Sequence, residues 1–225
     1  MQVNHPIHQK LLDARVLPLF YHDDVDTCFE VIKVLYEEGI RIVEYTNRGA
    51  NALSNYRQLV AQVREQLTGM EIGIGTIHTE HEAEQFLEAG ARLVISPLID
   101  GGIARAASDA GAFFIPGCMT PTEIQAACNI HAPLVKLFPA NLLGPGYIKA
   151  IRDIFPGVQF MPTGGVTLDE ENINNWFEAG VSLVGVGSTL IDKSLLKERD
   201  WELLRDRTKR LVANISQLKE NRMVQ

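Results

Sequence analysis

A chain of 225 residues is long enough for one domain, and its 46% hydrophobic and 22% charged residues are ordinary for a soluble globular protein. A net charge of -7 without a Lys/Arg cluster argues against a nucleic-acid partner, and no apolar run approaches the ~18 residues that cross a bilayer. Three cysteines (Cys28, Cys118 and Cys128) without CxxC spacing argue against a disulfide framework, and the polar residues 1–10 do not resemble a secretion signal, so the expected compartment is the cytoplasm.

In chain order, apolar runs read as strands separated by helices. RVLPLFY (15–21) is the first strand and IRIVEYT (40–46) the second, with Val31 and Leu35 at helical spacing between them. EIGIGTI (71–77) and RLVISP (92–97) follow. Between them Thr79, with Glu82 three residues on, marks a capping-box helix start. FFIPG (113–117) is the fifth strand. Thr120, Pro121 and Glu123 mark the next helix start, with proline at its first position. PLVKLFP (133–139), VQFMPTG (158–164) and SLVGVG (182–187) complete the strands, and Thr167 with Glu170 is a third expected capping box. Residues 200–219 read as an amphipathic closing helix, with Leu204, Leu211, Ile215 and Leu218 on one side.

One phrase recurs: an acidic residue, a spacer, a glycine, then an apolar run. Its copies are EEGIRIVE, EAGARLVI, DAGAFFIP and EAGVSLVG, and each reads as a helix end, a left-handed glycine and a strand. Gly39, Gly90, Gly111 and Gly180 lie about two, one and three units of roughly 23 residues apart, the length of one βα unit. Continuously apolar runs suit parallel strands buried on both faces. Eight such units predict an α/β fold, a closed (β/α)8 TIM barrel. It is expected to be a single domain with its core at about 10–195 and an extra C-terminal helix. Chemistry in such a barrel sits at the C-terminal ends of the strands.

Lys136 stands inside the apolar strand PLVKLFP, with Leu134 and Phe138 on its face. A buried amine is either a nucleophile or the partner of a buried acid, or it extends between helices to water. Glu44, near the end of the second strand, shares its face with Ile42 and Thr46. It reads as a general acid/base or as the counter-ion of Lys136. Arg48, four residues on, is placed to hold a carboxylate, unless it is a solvated loop charge. PTGG (162–165) and GVGS (185–188) close the last two strands, where barrels of this kind commonly bind phosphate through backbone amides. His78 and His81 straddle a helix start and lack a third ligand, and His22-Asp23-Asp24 reads as a turn, so no metal site is expected.

Several motifs then occur in order. They are E-x-T-x-R (Glu44, Thr46, Arg48), G-x-G-T (Gly73 to Thr76), I-S-P (Ile95 to Pro97) and P-G-x-x-T-P-T-E (Pro116 to Glu123). K-x-F-P-A (Lys136 to Ala140), P-T-G-G (Pro162 to Gly165) and G-x-G-S (Gly185 to Ser188) follow. The pattern resembles the 2-dehydro-3-deoxy-6-phosphogluconate / 4-hydroxy-2-oxoglutarate aldolases. That resemblance implies Lys136 as the Schiff-base lysine and Glu44 as the general acid/base. It implies Arg48 and Thr76 at the pyruvyl carboxylate, with Pro97 and Phe138 shaping the pocket. Gly164, Gly165, Gly187 and Ser188 match the phosphate-binding positions. It further implies a cytoplasmic homotrimer acting on a small 2-oxo acid without metal or organic cofactor. The expected reaction releases pyruvate with glyceraldehyde 3-phosphate or, from 4-hydroxy-2-oxoglutarate, glyoxylate. The 6-phosphogalactonate epimer is an alternative substrate, and a catalytically silent sugar-phosphate sensor is an alternative role. Leu98 replaces the usual glycine after I-S-P, and Tyr45 and Asn47 replace the commoner aliphatic residues.

Overall fold

A computed structural model describes residues 5–223, with side chains as far as residue 218. The expected alternation of parallel strands and helices is present. The strands are β1 Val16–Phe20, β2 Ile42–Thr46, β3 Glu71–Gly75, β4 Leu93–Ile95, β5 Phe113–Ile115, β6 Gly117–Cys118, β7 Leu134–Leu137, β8 Gln159–Pro162 and β9 Val184–Val186. Between and after them run α2 Val25–Glu37, α3 Ala52–Gln66, α4 Glu80–Glu88, α5 Gly101–Asp109, α6 Pro121–Asn129, α7 Ala140–Ile151, α8 Glu170–Ala179, α9 Lys193–Glu198 and α10 Trp201–Met223. Helix α1 Pro6–Ala14 precedes them, and neither it nor α9 is among the elements expected from the sequence.

The strands form a curled six-stranded sheet, β5-β4-β3-β2-β1-β9, and a three-stranded one, β6-β7-β8. The single strand expected at FFIPG is split between them at Pro116. Proline has no N–H to give a ladder, and its carbonyl instead accepts from Lys136 N at 2.9 Å. Across the other seam, Thr163 forms a lone parallel bridge with Gly185, and Ser182 N donates to Phe160 O at 3.1 Å.

Local signals account for most helix ends. Both capping boxes at Thr79/Glu82 and Thr120/Glu123 are made. Thr167 makes none: its hydroxyl bonds Asp169 Oδ2 at 2.8 Å, and Asp169 becomes the N-cap of a helix that starts at Glu170. Gly39, Gly90, Gly111 and Gly180 all have positive φ, as the repeat requires. Helix α10 buries Leu204, Leu211 and Ile215, and Arg205 ties it to the end of α2 through Glu37 at 2.8 Å and Glu38 at 2.7 Å. No helix among the described residues is long and apolar enough to cross a membrane.

Strand alternation produces two cores. Val43, Tyr45, Val135 and Leu137 face outward into a large cluster shared with the helices. Leu17, Ile42, Leu93, Phe113, Leu134 and Met161 face inward and form a smaller cluster. Helix α1 belongs to this inner core through Ile7 and Leu11. Its His8 is buried, stacks on Phe113 with centroids 5.2 Å apart, and bonds Gln159 Oε1 at 2.6 Å. An apolar plug therefore fills the inner face, leaving the next layer of inward positions for polar side chains.

Candidate functional site

That next layer holds Glu44 and Lys136, each two residues along its strand from an inner-core residue, Ile42 and Leu134. Lys136 Nζ lies 3.4 Å from Glu44 Oε1, joining residues 92 apart in sequence. Both are buried, at 4% and 0% exposure. Alternation groups Lys136 with Leu134 and Glu44 with Ile42, and in the structure both groups face inward. Glu44 Oε2 is buried with no hydrogen-bond partner. A buried acceptor left open costs about 1–3 kcal/mol. The space for this carboxylate comes from Gly75, where a Cβ would stand 1.8 Å from Glu44 Oε1.

Thr76 follows directly, half-buried at the end of β3 with φ +63°. A β-branched side chain in the left-handed region is strained by roughly 1–3 kcal/mol, and such strain persists where surrounding structure enforces it. Pro97 packs beside the lysine strand. Gly117 pairs with Lys136, and a Cβ on Gly117 would lie 2.2 Å from the Pro97 carbonyl carbon.

A cavity of about 490 Å³ opens beside the pair. Arg48, Phe138, Gly164, Gly165, Gly187 and Ser188 line it; Lys136, Glu44, Thr76 and Pro97 do not. The link is Phe138, whose ring centroid is 5.6 Å from Lys136 Nζ. Arg48 and Ser188 are exposed. The two glycine loops are tied together by Thr189, whose hydroxyl donates to Val166 O at 3.0 Å. Gly164 and Gly165 have φ of +91° and +77°, and a Cβ on Gly165 would meet Asn141 Cβ at 2.5 Å. Gly187 differs. Its φ is ordinary and the nearest atoms to an added Cβ are 3.5 Å away, so neither backbone nor packing demands glycine there.

The cavity is also lined by Tyr21, Thr163 and Lys193, none of which is singled out by its sequence motif. Tyr21 ends the first expected strand, where the rule placing chemistry at strand C-termini flags it. Burial and its hydrogen bond to Asp23 hold its phenol above the ordinary value, so it stays protonated at neutral pH. Thr163 lies within PTGG, and its Oγ1 is buried without a partner. Lys193 opens α9, and the local sequence signal for that helix start is its N-cap, Asp192.

Tyr45 points outward, donating to His22 O at 3.1 Å and accepting from Asn55 at 3.3 Å. Asn47 N donates to Gly75 O at 2.8 Å. Leu98 is held by Ser96 Oγ, which accepts from its N–H at 3.1 Å. His78 and His81 are exposed beside Glu82 and Glu84, and among the described residues no three His, Cys, Asp or Glu gather as a metal site.

Residues 7–206 match the family model for KDPG and KHG aldolase, where KDPG is 2-dehydro-3-deoxy-6-phosphogluconate and KHG is 4-hydroxy-2-oxoglutarate. The chain is 34% identical over 161 residues to a probable 2-dehydro-3-deoxy-6-phosphogalactonate aldolase of Rhizobium meliloti, spanning 71% of this chain and 74% of that one. It is 32% identical over 164 residues to the 2-dehydro-3-deoxy-phosphogluconate aldolase of Treponema pallidum, spanning 72% and 76%. Among solved structures it resembles KDPG aldolase from Legionella pneumophila with pyruvate captured at low pH as a covalent carbinolamine intermediate. The TM-score is 0.82 at 25% identity, over 90% of this chain and 96% of that one. A match that spans most of the chain, joined to relatives above 30% identity, makes this chain a member of the KDPG and KHG aldolase family, and so an aldolase, a carbon–carbon lyase.

Proposed function

We propose that the chain is a class I aldolase in which Lys136 forms a Schiff base with a 2-oxo-3-deoxy sugar acid 6-phosphate. The observation that carries this reading is the buried pair: Lys136 Nζ lies 3.4 Å from one oxygen of Glu44 while the other oxygen has no partner. A pair serving only the fold would gain by satisfying both oxygens. An open acceptor beside an amine is where a water or a substrate hydroxyl docks.

The amine adds to the C2 carbonyl to give a carbinolamine, and loss of water gives the protonated imine. Glu44 takes the proton from the C4 hydroxyl, the C3–C4 bond breaks, and its electron pair flows into the imine as an enamine. The aldehyde leaves. Protonation of the enamine at C3 and hydrolysis release pyruvate and the free amine. The pyruvate carbinolamine captured in the Legionella relative supports this route. Arg48 and Thr76 hold the carboxylate in this scheme, Pro97 and Phe138 wall the pyruvyl group, and Gly164, Gly165, Gly187 and Ser188 take the phosphate. The second product is glyceraldehyde 3-phosphate, or glyoxylate when 4-hydroxy-2-oxoglutarate is cleaved. The 34% identical relative named for the galactonate epimer keeps that substrate as a second reading, which parallel assays of both epimers decide.

The same proposal takes the two sheets as one closed eight-strand barrel in a single domain. The bridge between Thr163 and Gly185 and the continuity through Pro116 support it. It includes the cytoplasmic homotrimer that the family resemblance implies, without nucleic-acid or membrane partners; sedimentation and cell fractionation test these. Borohydride reduction with pyruvate is the direct test of the chemistry. The expected result is a stable adduct mapped to Lys136 by peptide mass. No adduct, or one on another lysine, overturns the assignment.

A further inference from the structure

We propose that Lys193 is a specificity-determining residue that supplies the positive charge for the substrate phosphate, a role the glycine loops cannot fill alone. This rests on reading the PTGG and GVGS loops as the phosphate site. Gly164, Gly165, Gly187 and Ser188 bring no charged side chain to the cavity wall. A phosphate dianion transferred there from water loses its hydration and needs opposite charge. The two cations lining the cavity are Arg48 and Lys193. Arg48 lies two residues past the end of β2, and in the proposed function it holds the substrate carboxylate, which leaves Lys193 for the phosphate. Lys193 opens α9 and shares the cavity wall with Gly187 and Ser188.

The neighbouring acid does not claim this lysine. Asp192 is occupied by Arg207 at 2.7 Å, by the Ser194 hydroxyl at 2.6 Å and by Leu195 N–H at 2.9 Å. Those contacts hold the Asp192 carboxyl well below the usual carboxylate range. They also fix the first turn of α9, so the base of the Lys193 side chain is anchored while its ammonium is exposed and in no hydrogen bond or ion pair with the described residues. In a chain of net charge -7, an unpaired cation on a cavity wall concentrates an anionic ligand there. A charge-assisted hydrogen bond to phosphate changes affinity by about tenfold or more.

The test compares wild type, Lys193→Met, Lys193→Arg and Gly187→Ala on two substrates, 2-dehydro-3-deoxy-6-phosphogluconate and 4-hydroxy-2-oxoglutarate. Inhibition by inorganic phosphate is measured in parallel at low and high salt. Lys193→Met is expected to raise KM for the phosphorylated substrate, and Ki for inorganic phosphate, about tenfold. Its loss on the unphosphorylated substrate is several-fold smaller. Lys193→Arg restores most of the binding, and the salt dependence of KM flattens in Lys193→Met. Equal losses on both substrates would mean a structural role and overturn the proposal. KM and Ki within twofold of wild type overturn it too. If Gly187→Ala still discriminates between the substrates in that case, the phosphate site stands and only Lys193 is misassigned. If neither variant discriminates, the loops are not a phosphate site and both readings fall.

Discussion

Replacing Gly75 by alanine perturbs the chemistry through one methyl group. Gly75 lies on β3 opposite Thr46, and its φ is ordinary for a strand. An ideal Cβ there falls 1.8 Å from Glu44 Oε1, 2.4 Å from Cδ and 2.6 Å from Cγ, whereas real Cβ contacts are essentially never under 3.0 Å. The carboxylate must therefore retreat by about 1 Å or rotate away from Lys136. A misplacement of about 1 Å at a reacting group costs on the order of 100-fold in rate, or about 2.7 kcal/mol of barrier. The fold has less reason to suffer. The conflicting atoms run from Cγ outward along one side chain and include no backbone, and alanine is about 0.5–1 kcal/mol better than glycine within a strand. Pyruvate release gives kcat, borohydride trapping gives the rate of Schiff-base formation, and circular dichroism with a thermal melt checks the fold. The expected result is a kcat about 100-fold lower, slower trapping and a melting temperature near wild type. A folded Gly75→Ala protein with kcat within threefold of wild type would refute the idea that the seat of Glu44 controls proton transfer.

Lys136→Met keeps the length of the side chain and removes the amine; turnover should fall to background and the pyruvate adduct should vanish from mass spectra. Trapping at wild-type level would remove the nucleophile assignment. Gly187→Ala should fold, because the nearest atoms to its Cβ are 3.5 Å away. It should lower kcat/KM for the phosphorylated substrate more than for 4-hydroxy-2-oxoglutarate, and an equal loss on the two rejects the phosphate-site assignment. Asp192 has its carboxyl lowered by Ser194, Leu195 and Arg207. Its contribution to stability is thus present above the unfolded carboxylate's pKa of about 3.9 and is lost as pH falls toward the lower folded value. Asp192→Asn should therefore melt earlier than wild type at pH 7, with the gap narrowing in acid; a gap independent of pH contradicts this. Burial pushes the Cys28 and Cys118 thiols up to about 12, while Cys128 is only half-buried. Iodoacetamide at pH 8 should label Cys128 first, and peptide mapping that finds Cys118 first would contradict the burial reading.

Local features were legible in the residues alone because their causes lie within a few positions of each other. A left-handed glycine after a helix, a threonine three residues before a glutamate and a period of two along a strand each act over one turn or one pleat. They located the strands, two of the three expected capping boxes and the inward face shared by Leu134 and Lys136. The third box failed for a local reason as well: Asp169 offered the Thr167 hydroxyl a nearer partner. Family motifs added roles for these residues but no distances.

The rest depended on curvature that no short window contains. The 3.4 Å contact between Glu44 and Lys136 joins β2 to β7, strands of different sheets, and exists because both sheets curl around one inner core. The niche for that carboxylate is an absence, the missing Cβ of Gly75 on a third strand, which reads in sequence as one more strand glycine. Helix α1 reads in sequence as a polar terminus because few of its residues are apolar: Ile7, Leu11 and Ala14 meet the inner core, and His8 is buried through stacking and a hydrogen bond rather than through hydropathy. Tyr45 neighbours Glu44 in sequence but faces the helices, while Lys193, far along the chain, reaches the cavity wall. Sequence order determined which way each side chain could point along its strand; which distant side chains then met was decided by the packing of the curled sheets, since only burial against a common core brings such residues within reach.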